Sequence, residues 1–307
     1  GSMIAYNRHN WTSQVFAFQG TVLRRVSSRV ALVALITLIL SIIKIASEPE
    51  TLAMIPALKD FGWIDSLELS VPKLEPIGHT VLGLALGMLM AFRSNAANTR
   101  YWEGRGHWGM LTNTCRSLVR IGQVWAGPAD DLARLVSAYV LAIKQTLRDD
   151  RDLEELTHYL PGSVYDRVRE AGSPATCLSR FIEEWVHEKQ VLGKIDTRTA
   201  MVMQQLVNTL VDQQGACEKI HKTPMPFVYA SLIKVSITLF VFTLPLVLVH
   251  TASLAAPAMA ALAALVFFGV EEAAIEIEDP FGLEPNDLPL EQICATIARD
   301  ASQLTKI

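Results

Sequence analysis

Four apolar blocks constrain this chain more than any other feature. They occupy 30–46, 76–92, 226–249 and 253–270. The first carries one full charge, Lys44, near its end, where a long stem lets the ammonium reach a polar interface. The second carries none, and the third carries Lys234 about two turns in. Blocks of this length match the ~17–25 residues needed to cross the hydrocarbon core of a bilayer. One block alone also fits a buried core helix. Four together, with consistent charged flanks, fit membrane helices. The last two are joined by only a few residues around His250, which predicts a helical hairpin.

The basic flanks orient these blocks. Arg24, Arg25 and Arg29 precede the first, Arg93, Arg100 and Arg105 follow the second, and Lys219 and Lys222 precede the third. The stretch between the first two blocks holds Glu48, Glu50, Asp60, Asp65, Glu68 and Glu75 against Lys59 and Lys73. The positive-inside rule then puts the basic segments in the cytosol and this acidic loop outside. Both termini are expected inside, in a bacterial-type inner membrane. Gly1-Ser2-Met3 has the form of a tag scar before a natural start at Met3, and no cleavable signal peptide is expected.

The middle of the chain, 98–222, has the pattern of a soluble helical domain. Val119, Val124, Leu132, Leu135, Val136, Tyr139 and Ile143 recur at spacings near three and four, the mark of amphipathic helices. Pro128, Pro161-Gly162 and Gly172-Ser173-Pro174 punctuate it, and Asp196-Thr197 is suited to cap a helix running toward Cys217. No strand pattern or repeat intervenes. The expected fold is therefore all-α: four transmembrane helices plus a cytosolic helical domain. The boundaries expected are a cytosolic amphipathic segment at 1–29, the first two membrane helices and their external loop at 30–97, the cytosolic domain at 98–225, the hairpin at 226–272 and a cytosolic tail at 273–307.

Composition excludes several classes. A net charge of −4 gives no reason to expect a nucleic-acid partner. Cys115, Cys177, Cys217 and Cys294 form no CxxC pair and are expected to be reduced structural thiols. There is no HExxH, P-loop, GxSxG or GxGxxG, and His107, His158, His187 and His221 have no metal-ligand spacing. Enzymatic chemistry and a cofactor are not expected.

Three features are candidates for function. In the second block, Leu84, Met88 and Phe92 recur every fourth residue as one stripe, with Gly83 and Gly87 beside it as a GxxxG pair. Such a helix suits the wall of a symmetric pore, where bulky apolar rings gate by dewetting. From the pattern alone, lipid contact and ordinary helix packing are the stronger expectation. After the fourth block, Glu271-Glu272 leads into Glu276-Ile277-Glu278-Asp279-Pro280-Phe281-Gly282, with Glu284, Asn286 and Asp287 beyond. Clustered oxygens of this kind can hold Ca²⁺, and Glu284 and Asp287 are weak candidates. The spacing is not that of an EF-hand, so a solvated acidic face is the stronger expectation. Lys234 is a charge at membrane depth, a functional candidate unless it reaches the interface. Pro245 and Pro257 are expected to kink their helices.

Three segments together resemble the bestrophin family. Phe92-Arg93-Ser94-Asn95-Ala96-Ala97-Asn98-Thr99-Arg100-Tyr101-Trp102-Glu103, with Gly104-Arg105 and Trp108-Gly109, is similar to the family's passage from pore helix to cytosol. Pro224-Met225-Pro226-Phe227-Val228-Tyr229 is similar to its P-x-P-x-x-Y at the third membrane helix. Asp279-Pro280-Phe281-Gly282 followed by Asn286-Asp287-Leu288-Pro289-Leu290 resembles its D/N-P-F-G segment, and Phe18-Gln19-Gly20-Thr21 more loosely its W-R-G-S. The resemblance covers nearly the whole chain in order. It implies a homopentamer around one central pore, with a neck at the positions matching Leu84, Met88 and Phe92. It also implies a second constriction at the cytosolic exit, near Arg198 to Val202. Where animal members carry an acidic run after P-F-G, this chain has Leu283-Glu284-Pro285-Asn286-Asp287, so calcium gating is not expected.

The expected partners are a second copy of the chain, the lipid bilayer and monovalent ions. Cation conduction, sodium in particular, is favoured by the resemblance to bacterial members and by the field of the acidic loop. Helix N-termini aimed at the pore, or Arg198 facing its axis, would favour anions instead. A secondary transporter and a membrane-anchored scaffold are the alternatives outside the channel class.

Overall fold

The computed structural model describes residues 21–46 and 71–306. Most of the amphipathic N-terminal segment, Phe18-Gln19-Gly20 and the acidic stretch from Glu48 to Glu68 lie outside the described residues. Among the described residues every regular element is helical.

Helix α1, Leu23–Ala46, begins well before its apolar block, so Arg24, Arg25 and Arg29 ride on the same helix. Helix α2, Pro76–Ile121, starts at a proline, whose missing N–H costs nothing at a first helical position. Its 46 residues correspond to about 69 Å at 1.5 Å per residue. The apolar block ends at Phe92, yet the backbone stays helical through the expected boundary at 97/98. No proline interrupts that run, and its isolated glycines each cost only about 1 kcal/mol of helix preference. A π-helical turn at Gly122–Ala126 ends it, followed by Gly127 at φ +91°, a left-handed conformation that glycine adopts without strain.

The remaining helices are α3 (Asp130–Thr146), α4 (Gly162–Glu170), α5 (Pro174–Val191), α6 (Thr197–Lys222), α7 (Phe227–Ala252), α8 (Ala256–Glu278) and α9 (Leu290–Leu304). Short 3-10 turns occupy Glu154–His158 and Ser253–Ala255. Asp196 caps α6 as its sequence position suggests: Thr199 N–H donates to its Oδ1 at 2.8 Å. Pro257 does not kink its helix. It is the second residue of α8, where a backbone donor is not needed, and so it begins the helix. Pro245 lies inside α7, which continues to Ala252.

The chain divides into two compact units. One contains the described part of Asn7–Asn98 together with Met225–Ile275; the other contains Thr99–Pro224 and Glu276–Ile307. The first unit packs α1, the apolar part of α2, α7 and most of α8 around Val26, Val33, Leu86, Met90, Ile237, Val241, Ala264 and Phe268. Its outer surface is apolar as well: Leu35, Ile42, Ile77, Leu239, Leu254 and Leu262 are exposed. A unit that is greasy on both sides has lipid rather than water as its matching solvent. Its buried Thr37 hydroxyl is satisfied locally, donating to Val33 O at 2.7 Å.

The second unit has the reverse pattern. Trp108, Leu118, Leu132, Tyr139, Ile143, Leu178, Ile182 and Met203 are buried, with α3 packed against both α5 and α9. The four cysteines are free thiols. Burial pushes the Cys217 and Cys294 thiols up to about 12 and that of Cys115 higher still, which keeps them protonated and inert.

Candidate functional site

In the first unit, α2 has two unlike faces. Leu86 and Met90 are 3% and 4% exposed, while Leu84, Met88 and Phe92 are 70%, 65% and 68% exposed. A 100° step per residue separates these sets, so one face seals the helix bundle and the other presents a bulky apolar ridge. Of the two glycines, only Gly83 is at a close approach: a Cβ there would lie 3.3 Å from Phe240 Cζ on α7. Gly87 faces open space within the chain. Beside Gly83, His79 fixes the same helix pair. Its Nε2 lies 2.9 Å from the Thr243 hydroxyl and its ring 5.2 Å from that of Phe240. Sequence reasoning missed His79, although an isolated histidine inside an apolar run is a signal that a polar partner waits on a neighbouring helix.

A layer of charge crosses the same unit. Arg93 Nε is 3.4 Å from Glu271 Oε2, with both side chains buried. Glu272 faces Arg25 at 3.6 Å and Arg29 at 3.5 Å. The expectation of a solvated acidic face fails here: Glu271 is enclosed by the bundle and neutralised by a buried arginine. Lys234 is exposed on α7 and forms no ion pair with another described residue.

In the second unit the Asp279-Pro280-Phe281-Gly282 segment is a structural latch. Phe281 is fully buried, and a Cβ on Gly104 would lie 3.0 Å from its ring and 3.1 Å from Pro280. A Cβ on Gly282 would meet Asp287 Oδ2 at 2.7 Å, so a larger residue there would displace the Asp287 carboxylate. Leu288 N–H donates to Pro280 O at 2.8 Å, and Arg148 Nε donates to Phe281 O at 3.2 Å. Arg148 also grips both Glu291 oxygens, which holds that carboxyl well below the usual range, at about 2. His221 bridges two acidic side chains, 2.9 Å from Asp279 and 3.2 Å from Asp149.

Arg100 was visible in the sequence as a flanking charge and as part of the family-like segment, with no partner assigned. Its guanidinium donates to Glu278 O at 3.0 Å, Thr223 O at 2.7 Å and Ile220 O at 2.5 Å. One side chain thus satisfies terminal carbonyls of both α6 and α8, groups with no intrahelical donor.

The loop after Gly282 turns its acids inward. Asp287 Oδ2 accepts from Glu284 N–H at 2.8 Å, and Asn286 Nδ2 donates to the buried Glu276 at 2.7 Å. Burial pushes the Asp287 carboxyl up to about 6, and the carboxylates of Glu284, Asp279 and Glu276 add to the shift. Glu284 and Asp287 do not combine with a third ligand: among the described residues no group of three or more His, Cys, Asp or Glu side chains is placed to hold a metal ion. Arg198 and Val202 both lie exposed near the start of α6, beside exposed Met201. They belong to the second unit, the ridge to the first.

These features define a membrane protein: an outward-apolar bundle of long helices joined to a helical unit with a conventional core. Among the described residues three stretches have the length and composition to cross a bilayer, Leu23–Ala46, Pro76–Ala126 and Phe227–Glu278, the last containing both α7 and α8. The chain belongs to the Bacterial/Fungal Bestrophin protein family, whose model matches residues 3–303. It is 32% identical to the voltage-dependent anion channel-forming protein sll1024 of Synechocystis sp., over 97% of this chain and 92% of that one. It is 30% identical to the voltage-dependent anion channel-forming protein YneE of Escherichia coli K12, over 98% and 94%. The fold is similar to that of a bacterial bestrophin homolog from Klebsiella pneumoniae, with a TM-score of 0.81 and 25% identity over 94% of this chain and 100% of that one. The sequence-based preference for cations gains no support from these relatives, whose names specify anions.

Proposed function

We propose that this protein is a homopentameric ion channel whose subunits each cross the membrane four times and surround one pore with α2. The observation that carries this reading is the ridge of Leu84, Met88 and Phe92, about two-thirds exposed on a helix whose opposite face is buried. Five copies of that ridge facing one axis would form a neck of three apolar rings, a constriction that conducts only when wetted. α7 and α8, with 26 and 23 residues, are each long enough to span a hydrocarbon core of about 30 Å. The basic ends of α1 and α6 favour a cytosolic location for the second unit and both termini, in a bacterial inner membrane.

For the permeant ion we favour small monovalent anions such as chloride. The names of the relatives favour them, and the exposed Arg198 guanidinium suits a second constriction, with Val202, at the cytosolic exit. The acidic stretch invoked for cations lies outside the described residues. The reversal potential of purified protein in a planar bilayer, under an asymmetric NaCl gradient, tests the choice. A value near the chloride equilibrium potential is expected, and a value near that of sodium would overturn it. Mass measurement in detergent tests the pentamer.

A further inference from the structure

The charged layer of the first unit opens on one side into a groove of about 320 Å³ between α1, α7 and α8. Its lining carries Arg29, Lys234, Glu271 and Glu272, with Leu32, Phe242 and Phe268 as its apolar part. Arg29 is the seventh residue of α1, Lys234 the eighth of α7 and Glu272 the seventh from the end of α8. Each therefore lies about 9–11 Å along its helix from the end that the basic flanks place toward the cytosol. Three helices deliver polar groups to one depth, and apolar side chains lie beside them.

Among the described residues the ion pairs at this level leave one base over. Arg25 and Arg29 share Glu272, and Arg93 faces Glu271. Lys234 has no carboxylate partner among the described residues. An exposed ammonium at membrane depth is costly unless it reaches water or meets an anion. The apolar Phe227, Val228 and Tyr229 are exposed on the cytosolic side of Lys234, so its surroundings toward that surface are greasy rather than aqueous.

We propose that this groove binds one anionic phospholipid per subunit. Its phosphate would lie between Arg29 and Lys234, and an acyl chain would run along Leu32, Phe242 and Phe268. The recess presents Arg29 and Lys234 to such a headgroup, beside Glu271 and Glu272, and its apolar floor is complementary to the tail. The inference rests on the membrane-spanning reading, which the need for detergent extraction checks separately; it does not depend on which ion the protein conducts.

The test is native mass spectrometry of the detergent-solubilised oligomer after equilibration with phosphatidylglycerol or phosphatidylcholine. Wild-type protein is expected to retain about one phosphatidylglycerol per subunit in preference to phosphatidylcholine, because Lys234 favours a net anionic headgroup. Lys234→Gln should weaken that retention about fivefold, and Lys234→Arg should keep it. Because Lys234 is exposed and makes no ion pair with another described residue, the glutamine variant is expected to fold and to keep the oligomer mass. Equal retention of the two lipids, or no change in Lys234→Gln, would overturn the proposal. Displacement of the lipid by millimolar inorganic phosphate would make the site one for free anions. Loss of oligomer mass in Lys234→Gln would assign the groove to a neighbouring subunit.

Discussion

Arg93 on α2 and Glu271 on α8 form an ion pair at 3.4 Å with both side chains buried, one residue beyond Phe92 at the end of the exposed apolar ridge. The helix that presents the ridge is thereby tied to the last helix of the same bundle. Removing one partner strands the other charge in a low-dielectric site, which typically costs about 3–5 kcal/mol. Arg93→Ala or Glu271→Ala should therefore lower the thermal unfolding temperature sharply in detergent. The apolar double replacement Arg93→Met with Glu271→Leu should recover most of the loss. A double variant no better than the singles would show that the pair is not the source of the effect.

Phe92, Met88 and Leu84 project from the other face and make no contribution to the bundle core. Replacing all three with alanine should leave the fold intact and raise single-channel conductance in planar bilayers, because wider and less apolar rings wet more readily. An unchanged conductance would remove these residues from the neck.

A methyl group on Gly104 would press on the Phe281 ring at 3.0 Å and on Pro280 at 3.1 Å, so one of these buried neighbours must give way. Gly104→Ala should destabilise the second unit by about 1–3 kcal/mol, the usual cost of overpacking. Adding Phe281→Leu should restore part of it. Limited proteolysis of the latch, alongside unfolding temperature, reads both effects.

Asp287 sets a pH dependence with a definite sign. Its carboxyl moves from an ordinary value of 3.8 to about 6 in the folded chain, so between these values the folded state binds more protons than the unfolded state. Stability from this group is present below about 4 and is lost as pH rises through 6. Glu291 works the other way: its value falls from 4.5 to about 2, so its contribution is present above 4.5 and is lost as pH falls toward 2. Unfolding temperatures from pH 4.5 to 7 should decline through the Asp287 contribution. Asp287→Asn should flatten that decline, and an unaltered profile in the variant would contradict the assignment.

How much of this was legible beforehand differs from residue to residue. The periodicity of Leu84, Met88 and Phe92 was readable because an α-helix turns by 100° per residue wherever it occurs. The cap at Asp196 was readable for the same local reason. Pro257 was misjudged because a proline's effect depends on whether it falls at the start or in the middle of a helix, and that boundary could not be placed to the residue. Gly83 and Gly87 looked equivalent, yet only one meets a neighbour, since the phase of α2 against α7 is set by packing rather than spacing.

By itself the sequence determined the apolar blocks and the basic residues that flank them. It also determined the glycine, proline and cap positions that bound the helices, since each depends on neighbours a few residues away. Only the tertiary structure decided which distant groups meet. Arg93 and Arg100 look alike in sequence, both basic residues following the second block. One is buried against Glu271 and the other caps two helix ends through the carbonyls of Ile220, Thr223 and Glu278. The physical reason is that a buried charge takes its meaning from the partner that compensates its desolvation, and that partner is chosen by how the helices pack.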